Sequence, residues 1–299
     1  MKSLVTVLLL VLCGCGGGSI TNVPPSAPVT PPPTVTPPPA IPSSWVVTDL
    51  APLPGFNAAQ ANALNASGHI VGYSEIPTGQ VEATEWYQGV ATDIGPGVAT
   101  GINDAGVTVG YYADSTGTFH GLRGQQDIGN WLPLAINNAG TIVGTDPVGT
   151  IAYKWDGLLT AVPGCNSLLA INQKGQTAGY CGGPAVAGSI NSLGQTVGYT
   201  LSPVDAILFP STIIAQNGSA TGINDYGWVI GETFTALGSN VRVVRGKLFG
   251  ISHPFIWSQA SGLIQLPAPM ITAEAIRGTT IVGTQIVGDE IHGTMLDGH

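Results

Sequence analysis

Charge is the scarcest commodity in this chain. Asp, Glu, Lys and Arg together make up 8% of 299 residues, against roughly 25% in an ordinary soluble domain. Helices with charged outer faces are excluded on that ground, and solubility must come from Ser, Thr, Asn, Gln and the backbone. Basic residues are rarer still, 8 against 17 acidic ones, for a formal net charge of −9. With Lys2 removed in an export signal, the balance becomes more acidic by one. No basic footprint exists for the phosphates of a nucleic acid or an anionic membrane. The conspicuous apolar stretch, Leu4 to Leu12, is nine residues long, too short for a ~20-residue membrane span. Gly-x-Ser-x-Gly, His-Glu-x-x-His and a Walker lysine are all missing, so the common hydrolase, zinc-protease and phosphate-loop signatures are not available. Cysteines number four, and Cys165 and Cys181 have no further His or Cys nearby to complete a zinc site.

What is abundant is glycine, with 43 residues, and proline, with 23. Together with β-branched runs they suit short strands joined by tight turns. Three segments follow. Residues 1–14 form a signal, with Lys2 ahead of the apolar core. Leu12-Cys13-Gly14-Cys15 resembles a bacterial lipobox, which implies cleavage before Cys15 and lipid attachment there. The residue after Cys15 is Gly16, not Asp, which favours the outer membrane, on its periplasmic or cell-surface face. Residues 15–43 carry the lipidated Cys15 and a proline-rich linker with Pro31-Pro32-Pro33 and Pro37-Pro38-Pro39, an extended stalk of polyproline type. Residues 44–299 are the repeat domain.

The repeat is legible as a turn. In Gly101-Ile102-Asn103-Asp104-Ala105-Gly106-Val107-Thr108-Val109-Gly110, an Asn is followed three residues later by Gly, then by a β-branched run and a second Gly. Copies place the Asn at 65, 103, 137, 172, 191 and 224, in steps of 38, 34, 35, 19 and 33 residues, and Arg277 takes its place in a last worn copy. The Asn side chain forms an Asx turn and the Gly closes the hairpin with positive φ. An alternative use of Asp104 and Asp225 as calcium ligands lacks the dense acidic loop that ion needs. Short apolar strands such as Glu82–Trp86, Ile151–Trp155 and His253–Trp257 fill the second half of each unit, but the 19-residue step holds Cys181-Gly182-Gly183-Pro184 instead. Periods near 35 residues signal a solenoid or a propeller. The last unit lacks the Thr-Asp-Ile-Gly element with which the domain begins, at Val47-Thr48-Asp49-Leu50. The expected fold is therefore an all-β propeller of about six or seven small blades, its ring closed by the N-terminal strand. Cys165 and Cys181, flanking the reduced unit, are expected to form a disulfide in an exporting compartment.

The Ile-Asn-x-x-Gly-x-x-Val-Gly turns, with His253-Pro254-Phe255-Ile256-Trp257 and His292-Gly293-Thr294, resemble the HAF repeats of bacterial extracellular proteins. The tripeptide of that name is nowhere complete, and Glu82, Ile151 and Asp205 stand in three of its His positions. The resemblance implies export and a repeat fold and carries no catalytic residues over; no metal or cofactor is expected.

The expected function is that of a membrane-anchored extracytoplasmic module that binds protein or polysaccharide without catalysis. The alternative is a carbohydrate-active hydrolase or lyase at the propeller opening. His120, His253 and His292 occupy equivalent places and are candidate binding or acid–base groups, with hydrogen bonding to a neighbouring blade as the structural alternative. Arg242, Arg245 and Lys247, in an insertion after Thr233, form a candidate binding hairpin. Trp86, Trp155 and Trp257 read as packing residues.

Overall fold

The computed structural model describes residues 38–234, 242–244, 247–249, 252–288 and 290–299, which belong to one compact unit, 38–299. The chain is all-β, with 28 strands and no helix among the described residues. The strands follow the repeats. Repeat 2 is typical: Val98–Ile102, Thr108–Ala113, Phe119–Arg123 and Gln126–Asp127 pair antiparallel in that order. Repeats 3, 5 and 6 have the same four-stranded plan. Repeat 4 is reduced to Ser167–Ile171 and Thr177–Tyr180, and Cys165 and Cys181 are disulfide-bonded across it.

The expectation of a closed propeller is corrected by the sheet topology. The strands lie in seven separate sheets, none of which closes or curls back on itself. The N-terminal strand Trp45–Leu50 does pair antiparallel with Glu290–Gly298. It does not complete a discrete blade, however. The last and first repeats share one eight-stranded sheet, joined where Ala58 bridges Ile291 in parallel. Ladder hydrogen bonds stop at each sheet's edge, and neighbouring repeats meet by other means.

Two side-chain ladders provide those means. The first uses the turn Asn. In repeat 2, Oδ1 of Asn103 accepts from the N–H groups of Ala105 (3.1 Å) and Val107 (2.9 Å), which fixes the expected turn, and Gly106 has φ +78°. Its Nδ2 is then free to donate to the carbonyl of Asn137 in the next repeat, at 3.2 Å. The same bond runs from Asn65 to Asn103, Asn137 to Asn172, Asn172 to Asn191 and Asn191 to Asn224. Asn224 donates to Gly278 of repeat 7. These six Asn are 2–5% exposed, so an unmade bond there would not be replaced by water. The second ladder uses the first strand of each repeat, which carries a one-residue bulge at Asn62, Thr100, Leu134, Leu169, Gly188, Thr221 and Glu274. Where that residue is a donor it reaches the next repeat: Asn62 to the Ala99 carbonyl (2.9 Å), Thr100 to Pro133 (2.8 Å) and Thr221 to Ala273 (2.5 Å).

The bulge also explains the second Gly of the motif. A Cβ at Gly110 would collide with the Val98 carbonyl oxygen of the bulged strand, and the corresponding clash recurs at Gly231 with Ser219. Apolar residues between these glycines fill the core. Ile142, Val143, Val229, Ile230, Ile281 and Val282 are fully enclosed, as are Trp86 and Trp131. Trp86 donates its indole N–H to the Ala51 carbonyl at 2.7 Å. Ile41, at the end of the proline-rich stretch, is buried in the core against Trp228.

Two measurements check this account. Asn103→Ala strips an acceptor from two N–H groups and a donor from the Asn137 carbonyl, and is expected to cost about 2–4 kcal/mol in urea unfolding; a loss under ~0.5 kcal/mol would contradict it. Replacing Cys165 and Cys181 by Ala reopens a 16-residue loop. That should cost about 3 kcal/mol, and peptide mapping of the wild type should recover the two cysteines as one linked pair.

Candidate functional site

The turn ends of five repeats converge on one depression of about 1160 Å³. Asn65–Gly68, Asn172-Gln173, Asn191-Ser192, Asn224–Tyr226 and Arg277–Thr280 line it, with Tyr87 at the end of the third strand of repeat 1 and Gln88 in the turn that follows. Its chemistry is set by the repeat. The Asn amides are consumed by the lateral ladder, so what faces the cavity is the variable residue after each Asn and the backbone of the turn. Tyr87 and Tyr226 are 42% and 43% exposed. The Tyr87 ring stacks on His69, with ring centres 4.1 Å apart. His69 in turn is held by Glu85 at 2.8 Å.

Among the described residues Arg277 is the one Lys or Arg lining this depression. Lacking the Asn amide, repeat 7 instead sends its guanidinium to Asp104 of repeat 2, with Nη2 2.8 Å from Oδ2. The other oxygen of Asp104 accepts from the Ala66 N–H at 2.9 Å, and Asn138 donates to Oδ2 at 2.8 Å. Burial pushes the Asp104 carboxyl up, but bonds from Asn138, the Ala66 N–H and Arg277 outweigh it and hold the pKa below its usual value. Asp225 likewise accepts from the Ser192 N–H, at 2.8 Å. Asp104 and Asp225 are therefore fasteners between repeats, not calcium ligands. Among the described residues no group of three or more His, Cys, Asp or Glu is placed to hold a metal ion.

The three equivalent His residues do not meet. None lines the depression, and each bonds within its own sheet, not to a neighbouring one. Nδ1 of His120 lies 2.7 Å from Asp127 and its Nε2 3.4 Å from Asp114. His253 Nδ1 pairs with Gln265 at 3.0 Å. His292, nearly buried, has Nδ1 2.8 Å from Asp49 and Nε2 3.4 Å from Glu290. They join the third strand of a repeat to its neighbour in the sheet. The side chains of Arg242 and Lys247, and Arg245 altogether, lie outside the described residues; the backbone of Arg242–Val244 pairs antiparallel with Lys247–Phe249. Cys15 is also outside them.

Two groups escaped the sequence reading. Toward the other end of the inner strands a smaller cavity of about 440 Å³ is lined by Gln60, Asn62, Tyr73, Glu75, Thr100 and Tyr111 among others. Tyr73 donates to Gln60 at 3.0 Å, and burial, then the charges of Glu75 and Glu274, raise its pKa. Near it sit Glu232 and Glu274. Burial, reinforced by the Glu274 charge, pushes the Glu232 carboxyl up to about 7. Burial raises Glu274 as well. The signal for both lay in the alignment of copies. Glu232 follows Gly231 where Tyr73, Tyr111, Tyr180 and Tyr199 follow theirs, and Glu274 stands three residues before Arg277 where Asn62 stands before Asn65.

No family model matches the chain, and no curated protein is similar to it. Among solved structures, a hypothetical protein from Leishmania major is similar at a TM-score of 0.33 and 10% identity, over 82% of this chain and 86% of that one. Likeness of that degree carries no argument about activity.

His120 offers a direct check of the pairing within its own sheet. Its bonds to Asp127 and Asp114 raise its pKa, and Asp114 itself is lowered to about 2, mainly by the Thr116 hydroxyl. A His raised on folding adds stability below its unfolded pKa, lost as pH rises through the folded one. An NMR titration should place His120 above the free-imidazole value, and Asp127→Asn should bring it down. An unchanged titration in the variant would refute the pairing.

Proposed function

We propose that this chain is an exported, lipid-anchored repeat protein whose 44–299 region binds polysaccharide without catalysing a reaction. The observation that carries this reading is the composition of the large depression: turn backbones, Gln173, Gln88, Ser192 and Asp225, one guanidinium, and the exposed rings of Tyr87 and Tyr226. Such a wall offers donors and acceptors to sugar hydroxyls, and an aromatic face to the apolar side of a pyranose ring. The disulfide supports an oxidising compartment outside the cytoplasm. The apolar signal and Cys15 support a lipid anchor, and the likeness of the turns to HAF repeats supports an extracellular setting.

A surface protein as ligand is the weaker reading, because the depression is concave. The catalytic alternative drew on three His gathered at one opening, whereas each is engaged within its own sheet. Glu232 has a protonation range suited to a general acid, but neither it nor Glu274 lines either depression.

Full-length protein applied to a glycan array and used in pull-downs should retain oligosaccharides. Tyr226→Ala should weaken retention about tenfold, the effect of roughly 1.4 kcal/mol, with the fold unchanged by circular dichroism. Retention of no glycan by the wild type, or equal retention by the variant, would remove the support for this reading.

A further inference from the structure

At the bulge of each first strand, a side chain either donates to the next repeat or has nothing to donate. Asn62, Thr100 and Thr221 all donate to the carbonyl of the residue just before the next repeat's bulge, namely Ala99, Pro133 and Ala273. Leu134, Leu169 and Gly188 hold the position without a donor. Repeat 7 has Glu274 there, and Met270–Arg277 packs against Ala58–Leu64 of repeat 1. The acceptor in the corresponding position of repeat 1 is the Ala61 carbonyl. A carboxylate only accepts hydrogen bonds, whereas a carboxylic acid carries one O–H to donate.

We propose that the junction between repeats 7 and 1 is strengthened by acid: protonated Glu274 donates to the Ala61 carbonyl the bond that Asn62, Thr100 and Thr221 donate at theirs, and ionised Glu274 cannot.

The surroundings favour the protonated form. Strands from repeats 1 and 6 and the second strand of repeat 7 pack on Met270–Arg277. Of these, Ala58–Leu64, Gly218–Ile223 and Thr280–Val287 carry no ionisable side chain. Val229–Phe234 contributes Glu232, Ser252–Ser258 contributes His253, and Tyr73 of the second strand of repeat 1 lies within electrostatic reach, itself beside Glu75 and Tyr111. Arg277, on the same strand, is engaged by Asp104. Two carboxyls so placed repel each other when both are ionised. The hydroxyl of Ser252 donates to the Ile271 carbonyl at 2.5 Å. It also bonds the Glu232 carboxyl, as does the Ala273 N–H, and both bonds favour the ionised form that burial opposes. Burial outweighs these bonds, and the Thr272 hydroxyl's bond to Glu274, and raises both carboxyls, Glu232 to about 7. Each therefore adds stability that is present below the ordinary Glu range and lost as pH rises through the folded value. Ala275, Ile276 and Arg277, the next residues of the strand, line the large depression, so the state of this junction reaches its wall.

The test is the thermal midpoint of the full-length protein at pH 5 and pH 8. Glu274→Gln supplies a permanent donor of the Asn62 kind. Relative to wild type, it is expected to raise the midpoint at pH 8 by about 2–4 °C or more and to shrink the fall between the two pH values. An equal fall in both proteins would overturn the proposal. Carboxyl carbon NMR of the unsubstituted protein decides the matter without a variant. A Glu274 signal still protonated at pH 6 supports the proposal, and one fully ionised at pH 5 overturns it.

Discussion

The structure depends on one amide used twice. The side-chain oxygen of each repeat Asn organises its own turn, and the side-chain nitrogen reaches the backbone of the following repeat. A carboxylate of the same shape could do only the first, and a hydroxyl is too short for both. Because the strands lie in separate sheets, no backbone ladder links most neighbours. Lateral cohesion then falls to side chains and to apolar packing between sheets, such as Val71 against Ala99 and Ile102. With few charges available, ion pairs contribute little, and buried amide bonds carry the specificity that salt bridges carry elsewhere.

The exceptions to the repeat are its most informative places. Repeat 4 gives up its outer strands and gains a disulfide, a covalent substitute for lost pairing. Repeat 7 gives up the Asn, and its Arg277 spans to Asp104 in place of the shorter amide bond. It also puts Glu274 where a donor is expected. Variation at these positions changes how a repeat is fastened, not how it folds, because the Gly opposite each bulge is kept in all seven copies.

Much of this was legible in the residues. The Asn-x-x-Gly spacing located the hairpins, the 19-residue step located the reduced unit, and the missing last element foretold the pairing of Trp45–Leu50 with Glu290–Gly298. Local turn chemistry is written in a few adjacent residues, so it reads well. The lateral partners did not. Asn103 and Asn137 are 34 residues apart, and nothing in either sequence neighbourhood says that one side chain ends on the other's carbonyl. The closed ring was wrong for the same reason: strand alternation reports which face is buried, not how one sheet's edge meets the next. His120, His253 and His292 looked like a set because they are equivalent, yet equivalence placed each in its own sheet. Glu232 and Glu274 were passed over because carboxylates so far apart in sequence give no sign of sharing a buried site.

The central claim is that the Asn ladder couples neighbouring repeats. Hydrogen–deuterium exchange of the full-length protein and of Asn137→Ala tests it most directly. Coupling predicts faster exchange in the turn of repeat 3 and also in those of its neighbours: in repeat 4, whose Asn172 carbonyl loses the Asn137 amide, and in repeat 2, whose Asn103 bonds the carbonyl of the loosened turn. Faster exchange confined to the turn of repeat 3 would contradict it.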